Sequence, residues 1–136
     1  MIRSTTAGRW FTRVMWVGIA ANLLLALPTI AAPDQMTAFS NLPTVTPNLW
    51  ARFAGLLLVL LSVFYVPAAI DPDRYRASAW MAVGARLAGV LFFLTEPRQY
   101  LMLGLFDLVF FVPEAMLLWL AQRTAGRLAG QGAARP

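Results

Sequence analysis

Four long apolar runs separated by short polar segments dominate the chain. They predict helices over residues 14–32, 49–70, 77–94 and 99–121, with polar tails at residues 1–13 and 122–136. A helix needs about 20 apolar residues to cross a bilayer, and each run has roughly that length. The pattern therefore predicts an all-α protein, a single membrane domain over residues 1–136 in which four helices form an antiparallel up-down bundle.

Prolines and polar residues mark the predicted helix ends. Pro33 opens a proline-rich loop, and Thr46-Pro47 is typical of an N-cap followed by a first-turn proline, which places the start of the second helix there. Asp71 and Pro72 end that helix. The connection over residues 95–98 is so short that the third and fourth helices are expected to be antiparallel neighbours.

The first apolar run has a second interpretation, a cleaved signal peptide. Arg13 precedes the run and Ala31-Ala32 ends it, as in such peptides. The run is nevertheless longer than the usual apolar region of a signal peptide, and Pro33 follows directly at the cleavage position. These features favour a retained first helix.

Composition supports a membrane environment and excludes several kinds of site. Hydrophobic residues make up 60% of the chain and charged residues 12%, whereas soluble domains carry roughly 25% charged residues. The chain has no Cys and no His, which excludes thiolate metal sites, histidine-held haem and the usual zinc centres. We therefore predict no catalytic residues, no metal site and no cofactor of its own, and no enzymatic activity of its own.

The basic residues predict the orientation in the membrane. All eleven are Arg, and eight of them lie in the first polar tail, in the turn between the second and third helices, or in the last polar tail. We expect the chain to lie in a bacterial inner membrane, and the positive-inside rule places these segments, and thus both termini, on the cytoplasmic side. The net charge of +5 is therefore interpreted as a topology signal, and nucleic acid is not an expected partner.

Two helices share a short sequence motif. Residues 63–69 and 109–115 are identical at five of seven positions, and the same offset aligns Arg52 with Arg98. Duplication of a helical hairpin would explain this similarity, and so would chance resemblance between two apolar helices.

Several polar side chains fall inside the apolar runs, where they are costly in lipid. Arg86, Asp107 and Asn22 come to similar depths when about 1.5 Å is counted per helical residue, which predicts an Arg86–Asp107 ion pair with Asn22 alongside. Such a pair could fix the register of the helices or take part in function. The predicted intramembrane polar cluster comprises Arg86, Asp107, Asn22, Glu114 and Arg52.

Glu114 is the member of this cluster for which depth counting finds no counter-charge. It follows Asp107 by seven residues, so both lie on one helix face. Pro113 before it cannot donate a backbone hydrogen bond, and we predict a helix kink there. Glu114 is expected either to bind or relay a proton, or to reach an interfacial arginine such as Arg74, Arg76 or Arg123.

The chain resembles the DoxX-like group of small bacterial membrane proteins. The resemblance rests on four hydrophobic helices in a chain of this length and on two Arg-x-x-Gly motifs, Arg52 to Gly55 and Arg86 to Gly89. The long proline-rich first loop departs from that group. The resemblance implies an accessory role beside a membrane oxidoreductase, with a quinone as the associated cofactor.

Three functional hypotheses follow. The first is an accessory or structural subunit of a larger membrane complex, which would contact the lipid bilayer and either other membrane subunits or further copies of itself. The alternative is a small transporter or proton-coupled carrier that uses the intramembrane Arg and carboxylate residues. A membrane enzyme acting on lipid or quinone is the third, and it lacks a recognisable nucleophile motif.

Overall fold

The regular structure of the chain is helical throughout the part that the computed structural model describes, residues 5–44 and 46–133. Five α-helices and one 3₁₀ turn follow one another along the chain. They are α1 (Thr6–Ala31), α2 (Pro33–Phe39), α3 (Leu49–Ile70), α4 (Arg76–Thr95), the 3₁₀ turn (Arg98–Tyr100) and α5 (Leu101–Ala133).

Four of these helices, α1, α3, α4 and α5, are long and apolar enough to cross a membrane, by length and composition. The prediction of an all-α chain with four such helices is therefore confirmed for the described residues. This architecture is compatible with a small integral membrane protein.

The first and last helices are longer than the sequence pattern predicts. α1 begins at Thr6 rather than at residue 14, because the Thr5 hydroxyl caps it by accepting a hydrogen bond from the Gly8 backbone N–H at 2.9 Å. α5 continues to Ala133 rather than ending at residue 121, because no proline interrupts the residues between. Most of both predicted polar tails is therefore helical; Arg3 and Arg135, which belong to the predicted topology signal, lie outside the described residues.

The segment between α1 and α3 is more ordered than a proline-rich loop. α2 occupies its first half, with Pro33 at the first helical turn, where the missing N–H costs nothing. α3 has the bounds predicted from its apolar run, residues 49–70, but its N-cap position is Asn48 and not Thr46, so the interpretation of Thr46-Pro47 as the helix start is wrong. The Asn48 side chain instead donates a hydrogen bond to Asp34 Oδ2 at 3.0 Å, which ties the start of α3 to α2.

The packed core lies at one end of the long helices. α1 packs against α3 and α5, and α4 packs against α5 and α3. The buried cluster draws on the first half of α1 and of α4 and on the second half of α3 and of α5: Phe11, Met15, Ile19, Tyr65, Ala68, Ala69, Ala79, Ala82, Val83 and Leu118. Four of these ten residues are alanines, whose small side chains let helices approach closely, as is typical of helix contacts in membranes. We call these ten residues the closed core.

Candidate functional site

Arg86 on α4 is the centre of a buried ion cluster. Its side chain is 1% exposed, and its Nη1 donates to Asp107 Oδ1 on α5 at 3.2 Å. Its Nε donates to both Glu114 oxygens, each at 3.3 Å. One guanidinium therefore engages two carboxylates of the same neighbouring helix, with the charge-assisted bonds that a charge inside an apolar protein requires.

This geometry contains the predicted Arg86–Asp107 ion pair and overturns the expectation for Glu114. Depth counting left Glu114 without a counter-charge, or assigned it to an arginine near the membrane surface. Glu114 instead pairs with Arg86, and its side chain is 0% exposed. The Cα atoms of Asp107 and Glu114, seven residues apart on α5, are separated by about 10 Å along the helix axis, and the two side chains converge on the guanidinium between them.

Aromatic rings flank the guanidinium. The Arg86 guanidinium carbon lies 4.7 Å from the centre of the Phe110 ring and 5.5 Å from that of the buried Tyr65 ring on α3. Both distances are within the range of cation–π attraction. Sequence reasoning missed both residues. Phe110 was detectable, because it lies three residues after Asp107 and four before Glu114 and so shares their helix face.

Two glycines provide the space that the cluster occupies. A Cβ at Gly18 of α1 would lie 2.6 Å from Arg86 Nη2 and 3.3 Å from Glu114 Oε1. A Cβ at Gly89 of α4 would overlap Asp107 Oδ2 and lie 3.0 Å from its Cγ. Gly89 thus explains one Arg-x-x-Gly motif, because the missing side chain admits the carboxylate that pairs with Arg86. Gly18 was not singled out from the sequence.

The other residues of the predicted polar cluster are placed differently. Asn22 is 1% exposed and lies one helical turn from Gly18, yet neither polar atom of its side chain has a hydrogen-bond partner in the described chain. Arg52 is exposed near the start of α3 and is not brought to Arg86. Pro113 lies inside α5, which continues through it as a single helix.

A cavity of about 710 Å³ adjoins the ion cluster on the side away from the closed core. Its wall is mostly apolar and comes from α1, the α2 segment, α3, α4 and α5. Asp107 is the charged residue of this wall, and its side chain is 22% exposed, in contrast to the enclosed Glu114. The lining residues include Ala54, Phe64, Phe93, Tyr100 and Phe106. We call this space the apolar cavity.

The ion cluster does not have the composition of a metal site. The described residues contain no group of three or more His, Cys, Asp or Glu side chains placed to hold a metal ion. The two carboxylates at Arg86 are instead neutralised in part by the guanidinium. The arrangement can fix helix register, carry a charge within the membrane, or present the Asp107 carboxylate to a molecule in the apolar cavity.

Comparison of the chain with protein-family models, with curated proteins and with solved structures finds no match in any of the three. The resemblance to the DoxX-like group therefore stays a prediction.

Proposed function

We propose that this protein is an accessory or structural subunit of a larger complex in the bacterial inner membrane. The observation that carries this proposal is the ion cluster, in which Arg86 engages both carboxylates of α5. Breaking a buried ion pair strands a charge, so such a cluster favours one arrangement of the two helices over others. Such a cluster suits a protein that contributes a defined scaffold to its partners.

The architecture we propose is an antiparallel up-down four-helix bundle. The order of the contacts between α4 and α5 supports an antiparallel arrangement of these two helices. Gly104, near the start of α5, packs on Phe93 near the end of α4, whereas Glu114 meets Arg86, earlier in α4. The closed core supports the same arrangement for all four helices, because it combines the first halves of α1 and α4 with the second halves of α3 and α5.

We also propose that the two hairpins, α1–α3 and α4–α5, arose by duplication. The shared motif aligns Ala68 of α3 with Glu114 of α5, and both side chains are completely buried. In this scheme the second hairpin acquired the carboxylate at a position that the first hairpin fills with a methyl group.

Both termini are proposed to be cytoplasmic, and the chain makes this easy to test because it has no natural cysteine. Gln35 in α2 and Gln131 near the end of α5 are both exposed, so each can be replaced singly by Cys. A membrane-impermeant maleimide added to intact spheroplasts should label Gln35→Cys and should label Gln131→Cys only after lysis. Labelling of Gln131→Cys in intact spheroplasts contradicts the proposed orientation.

The DoxX-like resemblance implies a quinone as the cofactor that the complex would use. The apolar cavity has the size and apolar lining of a small-molecule site, which spans about 300–1,000 Å³. Tyr100 is the residue of the wall whose phenol could donate to a quinone carbonyl, and Asp107 could accept from a quinol hydroxyl. A quinone in this cavity would supply two-electron redox chemistry to a partner, while this chain would hold the ring.

Purification at native expression level tests the accessory role. The tagged chain should bring down other membrane subunits in fixed ratio, as measured by native electrophoresis and mass spectrometry. A tagged four-helix membrane protein of unrelated sequence, expressed at the same level, controls for adventitious association. Recovery of this chain alone, as a monomer or as a homo-oligomer, contradicts the accessory role.

A small transporter or proton-coupled carrier is the second candidate, and a specific observation favours it. The apolar cavity reaches Asp107 from one side, whereas the closed core seals the other side of the ion cluster. Carriers that work by alternating access have this asymmetry in each of their end states. If reconstituted Asp107→Asn and Glu114→Gln transport at the rate of the unaltered protein, transport through these carboxylates is excluded, and if the unaltered protein transports nothing, the carrier role itself is excluded.

A further inference from the structure

The ion cluster contains two carboxylates and a single guanidinium. Arg86 contributes one positive charge, and Asp107 and Glu114 each contribute a carboxylate. No other arginine among the described residues pairs with either carboxylate. With both carboxylates ionised, the cluster holds one negative charge in excess, and a charge in apolar surroundings is screened far less than one in water.

One carboxylate of the cluster is accessible from the apolar cavity. Glu114 is enclosed, so its carboxylate can meet only Arg86. Asp107 lines the cavity and is 22% exposed. Arg86 donates to Oδ1 of Asp107. The other side of that carboxylate accepts no further hydrogen bond from the described residues. Asp107 is therefore the group that a positively charged molecule would meet.

The rest of the wall selects the kind of cation. Phe64, Phe93, Phe106 and Tyr100 place aromatic rings around a space of about 710 Å³, and aromatic faces attract organic cations. Calcium needs about six to eight oxygen ligands, and magnesium about six, whereas the cavity offers a single carboxylate. An inorganic divalent cation is therefore a poor match, and a bulky organic cation a good one.

The cavity also has a route from the membrane. Leu57, Leu60 and Phe64 of α3 line it and are 49%, 45% and 70% exposed. Because these lining side chains are exposed, the cavity opens between helices at the outer surface of α3, the surface that would contact lipid in a membrane. A ligand that first partitions into the bilayer could enter by this opening without crossing the closed core.

We propose that the apolar cavity binds a monovalent lipophilic cation, a positive centre surrounded by apolar or aromatic groups, with Asp107 as its counter-charge. This site goes beyond the accessory role and does not depend on it; the cation would occupy the same cavity and contact the same carboxylate as the quinone, so the two ligands are alternatives. A chain that purifies without partners and binds the cation would contradict the accessory role and leave this proposal standing.

The test uses the purified full-length protein in detergent and two probes of nearly equal shape. Tetraphenylphosphonium is positively charged and tetraphenylborate is negatively charged. Isothermal titration should show saturable binding of one phosphonium ion per chain and no saturable binding of the borate. Equal binding of both ions overturns the proposal, because it would mean that the cavity selects by apolarity alone.

Variants then locate the charge. Asp107→Asn should lower phosphonium affinity at least tenfold, whereas Glu96→Gln, which removes a carboxylate at the end of α4 outside the cavity wall, should leave it unchanged. Equal affinity in Asp107→Asn and the unaltered protein overturns the proposal.

A further variant covers the case in which Asp107→Asn does not fold. Ala54→Trp fills the cavity from an exposed position on α3 and leaves the ion cluster intact. It should lower phosphonium affinity at least tenfold at an unchanged melting temperature. Undiminished binding in Ala54→Trp overturns the assignment of the ligand to this cavity.

Discussion

Replacement of Gly89 by Ala tests the geometry of the ion cluster with a single methyl group. The added Cβ would overlap Asp107 Oδ2 and lie 3.0 Å from the Asp107 Cγ. The carboxylate would have to move, and this movement would disturb its 3.2 Å contact with Arg86. Forcing an extra methyl group into a packed site costs about 1–3 kcal/mol.

Gly84 on the same helix is the matched control. A Cβ at Gly84 would meet no heavy atom within 4 Å outside its own helix. Ala is preferred over Gly in a helix interior by roughly 0.5–1 kcal/mol, and both substitutions gain this amount. Gly84→Ala should therefore stabilise the protein slightly, and Gly89→Ala should be less stable than Gly84→Ala by about 1–3 kcal/mol.

Unfolding in mixed micelles with increasing dodecyl sulfate gives these free energies, and the five native tryptophans provide the fluorescence signal. A double variant makes the test specific, because Asp107→Ala removes the atoms that the new methyl group meets. The penalty of Gly89→Ala should disappear in that background, as a double-mutant cycle would show. Equal stability of the Gly89→Ala and Gly84→Ala single variants would refute the packing of Gly89 on Asp107.

Three further predictions concern stability and use the same unfolding measurement. Arg86→Met should destabilise the protein by about 3–5 kcal/mol, because it leaves the buried Glu114 carboxylate and the half-buried Asp107 carboxylate without their cation, whereas Arg52→Met, at an exposed position, should cause little change. Leu118→Ala should cost about 2–5 kcal/mol, since this side chain is 0% exposed in the closed core, whereas Met116→Ala, at a 58% exposed position, should not. Thr5→Ala should cost about 1 kcal/mol by removing the cap of α1. An unchanged free energy of unfolding in this variant would contradict the capping role.

The helices of the middle of the chain were predictable because their ends carry strong local signals. Asp71 and Pro72 stop α3, and Pro97 follows the end of α4. α1 was predicted too short because Arg9 and Arg13 suggested a polar lead. Gly8, Phe11 and Met15 are nevertheless buried at helical spacing, so the apolar face continues beneath the arginines.

The Arg86–Asp107 ion pair was predictable from depth, and the partner of Glu114 was not. Depth counting places Cα atoms, whereas the contact is made by side-chain ends. Helical side chains lean toward the N-terminus of their own helix. Since α4 and α5 are proposed to run in opposite directions, Arg86 and Glu114 lean toward each other, which closes a gap that the Cα positions leave open.

The position of the apolar cavity next to the ion cluster could not be predicted from the sequence, for a different reason. The apolar cavity combines residues of α1, α2, α3, α4 and α5 that are far apart in the chain. The hydrophobicity of each residue is the same whether its side chain faces lipid, a neighbouring helix or the apolar cavity. Only the packing of the helices distinguishes these cases.

The helix that carries both carboxylates of the ion cluster, α5, is longer than a membrane span requires. The helix has 33 residues and is about 50 Å long, whereas the hydrocarbon layer is about 30 Å thick. Trp119, whose ring lies 3.7 Å from the Arg123 guanidinium carbon, is suited to the boundary between lipid and water. In a bilayer of that thickness the turns beyond Trp119 would extend past the hydrocarbon layer, so a partner bound to them would act on the same helix that carries Asp107 and Glu114.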